Sequence, residues 1–209
     1  MKKYCIYLLL IINSLIACND LDLSPLSQGS SENWYSSEIQ FEMAINDFYR
    51  LAFWYYTPTP HDPLQWSDDY TCRDNRSEIT AGTLNSETGF VNTFWKNQYK
   101  SIGRALTVIA NLEKGRKYGI SDTKLNQYEA EARFTLASRY AYLTFAFGDI
   151  PLVKEPIDIN EAYNMSRTPK EEVIKYIYEN FDFAIENLPK EYSSKMRATK
   201  GAALALKAR

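Results

Sequence analysis

The stretch "EARFTLASRYAYLTFAFGDIPLV", residues 131–153, decides how the chain is read. Ala132, Leu136, Tyr140, Leu143 and Phe147, extended backwards by Leu125 and Tyr128, keep the spacing that gathers apolar side chains on one helix face. Gly148 stops that helix. Beyond it "DIPLVKEPI" (149–157) is held extended, because Pro151 and Pro156 bias the residues before them away from helix.

Helical periods continue on both sides. Upstream, Trp95, Tyr99, Ile102, Leu106, Ile109 and Leu112 form a stripe expected to lie in the core and to stop at Gly115 and Gly119. Further back, Phe41, Ile45, Phe48, Ala52 and Tyr55 share a face. Ser37 and Gln40 sit as a capping box before it, and Pro58, Pro60 and Pro63 close it. Downstream, Thr168 reads as a cap, Pro169 as the first helical residue and Glu171 as the box partner. Ile174, Ile177, Tyr178, Phe181, Ile185 and Leu188 are the expected buried face, ended by Pro189. A last helix opens near Thr199 and is still running at Arg209.

"IANLEK" (109–114) returns as "IENLPK" (185–190), and "LASR" (136–139) as "LKAR" (206–209). Similar helix pairs at such spacing predict stacked hairpins of tetratricopeptide type, at about twice the ~34-residue period. Chance similarity between two unrelated hairpins is the competing account. The expected fold is all-α: tetratricopeptide-like helical hairpins with a long irregular insertion, truncated within a helix. Residues 36–209 would be its domain, incomplete at the C-terminus.

The first residues are not part of that domain. Lys2 and Lys3 precede an apolar run from Tyr4 to Ile16, the form of a secretory signal and too short to span a bilayer, which takes about 20 residues. Leu15-Ile16-Ala17-Cys18 looks like a bacterial lipobox. Cleavage before Cys18 would leave residues 1–17 as signal peptide and 18–35 as a lipidated tether, rich in Ser and Asp. A plain signal peptide with an adventitious cysteine is the alternative. Of 24 Lys and Arg, Lys2 and Lys3 would leave with the signal, so 22 would face 26 Asp and Glu. That balance argues against nucleic-acid binding. With Cys5 removed and Cys18 lipidated, Cys72 alone remains, and an intrachain disulfide is impossible. Sixteen Tyr, ten Phe and four Trp exceed what a core of this size needs and hint at a stacking surface.

Five pieces carry a family resemblance: the lipobox with "LDLSP" (21–25), "WKNQYKSIGRAL" (95–106), residues 131–153, "RTPKEEVIKYIYENFDFAIENLP" (167–189) and "RATKGAALALKAR" (197–209). Together they resemble the SusD/RagB-like outer-membrane nutrient-binding lipoproteins of Bacteroidetes. Pairing "GDIPLV" with "RTPKEEV" is the specific part. Leu106 departs from the family, which often has Asn there, and family members are longer than this chain. The resemblance implies tetratricopeptide-like hairpins, glycan capture, and a role as surface lid of a SusC-like TonB-dependent transporter. In that frame Cys18 anchors the protein to the outer membrane, and Asp20 and Asp22 resemble an acidic signal for surface export. A helical-repeat scaffold whose main ligand is a protein is the rival expectation.

Residues 57–93 show no period, and a long irregular excursion is often functional. "QWSDDYTCRDNRSE" (65–78) supplies what a sugar needs. Trp66 and Tyr70 offer aromatic faces, and Asp68, Asp69, Arg73, Asn75 and Arg76 offer hydrogen-bonding groups. Trp66, Tyr70, Asp69, Arg73 and Asn75 are the candidate ligand residues, although the rings could simply pack the loop onto the helices. His61, the one histidine, lies in a turn, and no His/Cys cluster has metal-ligand spacing. Cys72 has no evident base. No enzyme activity, metal or cofactor is expected.

Overall fold

A computed structural model describes residues 34–50, 78, 81–193 and 197–209, and Tyr35–Arg209 forms one unit. Seven helices lie among the described residues: α1 (Glu38–Arg50), α2 (Gly89–Ala110), α3 (Leu112–Lys117), α4 (Asp122–Phe147), α5 (Ile159–Asn164), α6 (Lys170–Asn187) and α7 (Lys200–Ala208). One isolated antiparallel bridge, Ile150 to Thr168, is the sole β pairing among them. The chain is all-α.

Helix α4 is the axis. It packs against α2 and α6 on a broad front and also touches α1 and α3, while α7 folds back on α6. This gives two hairpins, α2–α4 and α6–α7. The repeated motif falls at the end of the first helix in each. Asn111 Nδ2 donates to Thr107 O at 2.8 Å, and Asn187 Nδ2 donates to Phe183 O at 2.9 Å. Burial repeats at the same register: Ser101 with Ile177, Ala105 with Phe181, Val108 with Ala184, Leu112 with Leu188.

Helix α4 is not the one-faced helix its stripe suggests. Ala130, Phe134 and Ala137 are buried as well, together with Glu131, Thr135, Ser138 and Arg139. Short side chains let neighbours approach from every side. The hydroxyls of Thr135 and Ser138 are satisfied internally, on Glu131 O at 2.9 Å and Phe134 O at 2.7 Å. Arg139 Nη1 donates to Gln98 Oε1 at 3.4 Å.

Glu131 is fully buried and collects three hydrogen bonds and one further ion-pair contact. Tyr49 Oη donates to Oε2 at 2.8 Å and Tyr192 Oη to Oε1 at 3.0 Å. Arg197 Nε reaches Oε2 and Nη2 reaches Oε1, each at 3.0 Å. Tyr49 Oη in turn accepts from Ala198 N at 2.9 Å. One carboxylate thus ties α1, α4 and the lead-in to α7. Burial pushes its pKa up, against the pull of Arg197 and the two phenols.

Several local expectations shift. Gly115 does not stop a helix; it lies inside α3, where a Cβ would stand 2.7 Å from Phe41 Cε2. The stop is Gly119, with φ 86°, which closes α3 by Ile120 N to Gly115 O (3.2 Å) and Gly119 N to Arg116 O (3.0 Å). Gln40 reaches back to Ser36 N at 2.7 Å, not to Ser37. On α6 the buried face is Val173, Ile177, Asn180, Phe181 and Ala184, while Tyr178 is exposed. Asn180 is tolerated there because its side chain donates to Tyr176 O (2.8 Å) and accepts from Arg133 (3.2 Å). Gly148 and Thr199 behave as read. Gly148 caps α4, and the Thr199 hydroxyl accepts from Ala202 N at 3.3 Å.

Candidate functional site

Cys18 and the loop candidates Trp66, Asp69, Tyr70, Arg73 and Asn75, with Asp68, Arg76, His61 and Cys72, lie outside the described residues. So do Ala52 and Tyr55 of the first stripe. The structure fixes the two ends from which that loop departs and returns. On the departing side, Asp47 pairs with Arg104 at 2.6 Å and Tyr49 is bound to Glu131. On the returning side the chain makes tight turns. Thr83 N bonds Glu78 O at 3.0 Å, Asn85 Oδ1 accepts from Glu87 N at 2.8 Å, and Thr88 Oγ1 accepts from Asn85 N at 3.1 Å.

Those turns lead into an aromatic group. Phe94, Trp95 and Tyr99 on the first turns of α2 meet Phe147 at the end of α4. The Trp95 ring lies 4.9 Å from Tyr99 and 5.0 Å edge-on from Phe147, and Phe94 lies 6.1 Å from Phe147. Trp95 and Tyr99, expected in the core, are half-buried. They sit at the rim, beside the end of α4. Phe145 is 86% exposed, because it points away from the face that α2 and α6 cover. Aromatic surface of this kind can stack on a ring or take part in an interface.

The segment after Gly148 is pinned by two phenols. Tyr99 Oη donates to Pro151 O at 2.7 Å. Tyr140 Oη donates to Val153 O and accepts from Val153 N, both at 2.9 Å. Burial raises the pKa of both phenols, so they stay protonated as donors. The specific pairing of "GDIPLV" with "RTPKEEV" now has a physical cause. Ile150 and Thr168 exchange backbone bonds at 3.3 and 2.9 Å, and Arg167 Nη1 donates to Asp149 O at 3.1 Å. Asp149 Oδ1 accepts from Lys170 N at 2.9 Å. Thr168, the expected cap, instead bonds Ile150 through its backbone; α6 begins at Lys170 with Pro169 in the cap position, and Asp149 supplies the capping oxygen from beyond the end of another helix. Sequence reading missed Asp149, since a cap 21 residues away leaves no local signal.

Among the described residues no group of three or more His, Cys, Asp or Glu is arranged to hold a metal. No helix among them is long and apolar enough to cross a membrane.

Comparison with known proteins places these features. The SusD-like family described as "Starch-binding associating with outer membrane" matches residues 21–209. SusD-like protein P2 of Formosa agariphila is 29% identical over 214 residues, covering 98% of this chain and 42% of its own length. A SusD-like carbohydrate binding protein of Bacteroides fragilis superposes with a TM-score of 0.68 at 25% identity, over 83% of this chain and 36% of its own. The fold is shared as well with a SusD homolog of Bacteroides thetaiotaomicron, TM-score 0.70 at 20% identity, over 86% of this chain and 37% of its own. The chain thus spans well under half the length of these relatives.

Proposed function

This chain belongs to the SusD-like family, and from that premise we propose that it works as a surface glycan-binding lipoprotein, capturing oligosaccharides for import through a SusC-like TonB-dependent transporter. The family match over residues 21–209 carries the proposal. Support comes from the Bacteroides fragilis relative, itself described as carbohydrate binding. In this reading Cys18 carries the lipid anchor on the outer membrane, and Asp20 and Asp22 direct the protein to the cell surface. Trp66 and Tyr70 stack on sugar rings, and Asp69, Arg73 and Asn75 hold hydroxyls. The protein acts by binding, with no catalytic step. The half-exposed rings at the start of α2 directly follow that loop in sequence and add aromatic surface to the same part of the chain.

Calorimetric titration of the protein with starch, laminarin and xyloglucan oligosaccharides tests the reading. Trp66→Ala/Tyr70→Ala should weaken binding of whichever sugar is taken while the melting temperature holds. Each stacked ring should contribute on the order of 1–3 kcal/mol, the scale of base–aromatic stacking. A lowered melting temperature with unchanged affinity would make the two rings packing residues. Absence of binding to a broad glycan panel would remove the proposal.

A further inference from the structure

The Ile150–Thr168 bridge is a ladder that stops after one rung. In an antiparallel ladder the next bonded pair would be two residues on, Leu152 with Ser166, and no such bond forms. The two segments diverge instead around a cleft of about 290 Å³. Residues alternate along an extended segment, so the N–H and C=O of Leu152 and Lys154 share the edge that Ile150 uses. The opposite edge is occupied, since Pro151 O and Val153 N and O are bonded to Tyr99 and Tyr140. The segment is therefore braced behind and, among the described residues, unpaired in front, where Lys154 is exposed and Leu152 keeps 8% of its surface. Leu152, Ile157 and Met165 supply the apolar lining.

The rim is acidic. Glu155, Glu161 and Glu172 line the cleft with one base, Lys154, which is paired to Glu172 at 3.6 Å. Glu155 and Glu161 have no basic partner among the described residues. A volume at the small end of the roughly 300–1,000 Å³ of small-molecule sites suits a narrow, extended occupant.

We propose that this unpaired edge docks an extended basic segment of a partner protein by strand addition. Its backbone pairs with Leu152 and Lys154, its apolar side chains face Leu152 and Met165, and its Arg or Lys lies between Glu155 and Glu161. Main-chain bonds give affinity in this mode and side-chain pockets give selectivity. The inference does not rest on glycan capture.

The probe is the blocked pentapeptide Thr-Val-Arg-Val-Thr, titrated into isotope-labelled protein and followed by amide NMR. Leu152 and Lys154 amides should shift, and N-methylating the peptide backbone should abolish the effect. Replacing its Arg by Glu should weaken binding by about tenfold or more. Glu155→Gln/Glu161→Gln in the protein should weaken the Arg peptide by about three- to tenfold, the scale of two exposed ion pairs, at unchanged melting temperature. Equal affinity for the Arg and Glu peptides would overturn the proposal, as would shifts that leave Leu152 and Lys154 untouched. Shifts of these amides on raising protein concentration alone would assign the edge to a second copy. Shifts on adding a maltooligosaccharide would assign it to sugar. Either result refutes the docking of a basic segment.

Discussion

Replacing Glu131 by alanine removes the acceptor of three hydrogen bonds and the counter-ion of Arg197 at a position with no solvent exposure. Water cannot readily stand in. The Arg197 guanidinium, its side chain 18% exposed, would keep its charge and lose its counter-ion. Removing one partner of a buried ion pair costs about 3–5 kcal/mol, largely as the penalty on the charge left behind. The unpaired phenols of Tyr49 and Tyr192 add to that through lost hydrogen bonds. Against a total stability of roughly 5–15 kcal/mol, Glu131→Ala should be close to unfolding the protein. At about 2–4 °C per kcal/mol for a chain of this size, the melting temperature should fall by roughly 6–20 °C. Thermal and urea denaturation followed by circular dichroism measures this directly. Adding Arg197→Met to Glu131→Ala should recover part of the loss, because the stranded charge is then gone. A Glu131→Ala variant within 1 kcal/mol of wild type, or a double variant worse than the sum of the singles, would refute the assignment of Glu131 as the tie between α1, α4 and α7.

Asp149→Ala should cost about 1 kcal/mol, the usual value of a lost N-cap, and should speed amide exchange at the start of α6, whereas Asp149→Asn should stay near wild type. Equal damage from both would mean that the cap is not what Asp149 supplies. Alkaline titration should destabilise the fold above pH 10. The phenols of Tyr49, Tyr99, Tyr140 and Tyr192 are all raised above 10.0, chiefly by burial, so they bind protons that the unfolded chain has released. Their stabilising contribution is complete below pH 10 and is lost as pH rises towards their folded values. For the fully buried Tyr140 the slope is about 1.4 kcal/mol per pH unit. Absorbance at 295 nm should report its ionisation together with unfolding; ionisation of all tyrosines in a still-folded protein would contradict this. Labelled palmitate should enter the wild-type protein and not Cys18→Ala, and equal labelling would dismiss the lipid anchor.

What could be read in advance was whatever a helix writes into its own neighbourhood. The stripes of α2 and α4, the stop at Gly148 and the cap at Thr199 are local signals, each confined to a turn or two. The exceptions come from contacts between distant residues. Asp149 caps α6 across 21 residues of chain, and Thr168 is drawn into a bridge with Ile150. Asn180 and Glu131 interrupt apolar patterns that tertiary partners make acceptable, so the apolar stripe alone puts the buried face of α6 too far round and leaves out the polar centre of α4. Gly115 has the composition of a helix stop but owes its place to the Phe41 ring beside it. Helix α5, six residues with none buried, leaves no apolar stripe and went unread. For the candidate site, residue chemistry could be read from "QWSDDYTCRDNRSE". Its geometry could not, because an aperiodic segment carries no rule that places one side chain against another.

The burial of the middle of α4 on nearly every side has a consequence for how the molecule comes apart. A helix with one apolar stripe can survive the loss of a neighbour on its polar side, but the middle of α4, from Ala130 to Tyr140, has almost none to spare. Loss of α1, α2 or α6 would expose buried carboxylate, guanidinium or alanine surface together, so each docking makes the others more favourable. The central amides of α4, from Ala130 to Leu143, should therefore exchange only when the entire unit unfolds, in step with the global transition. Helix α5 should exchange independently and quickly, by opening that the rest of the structure never registers.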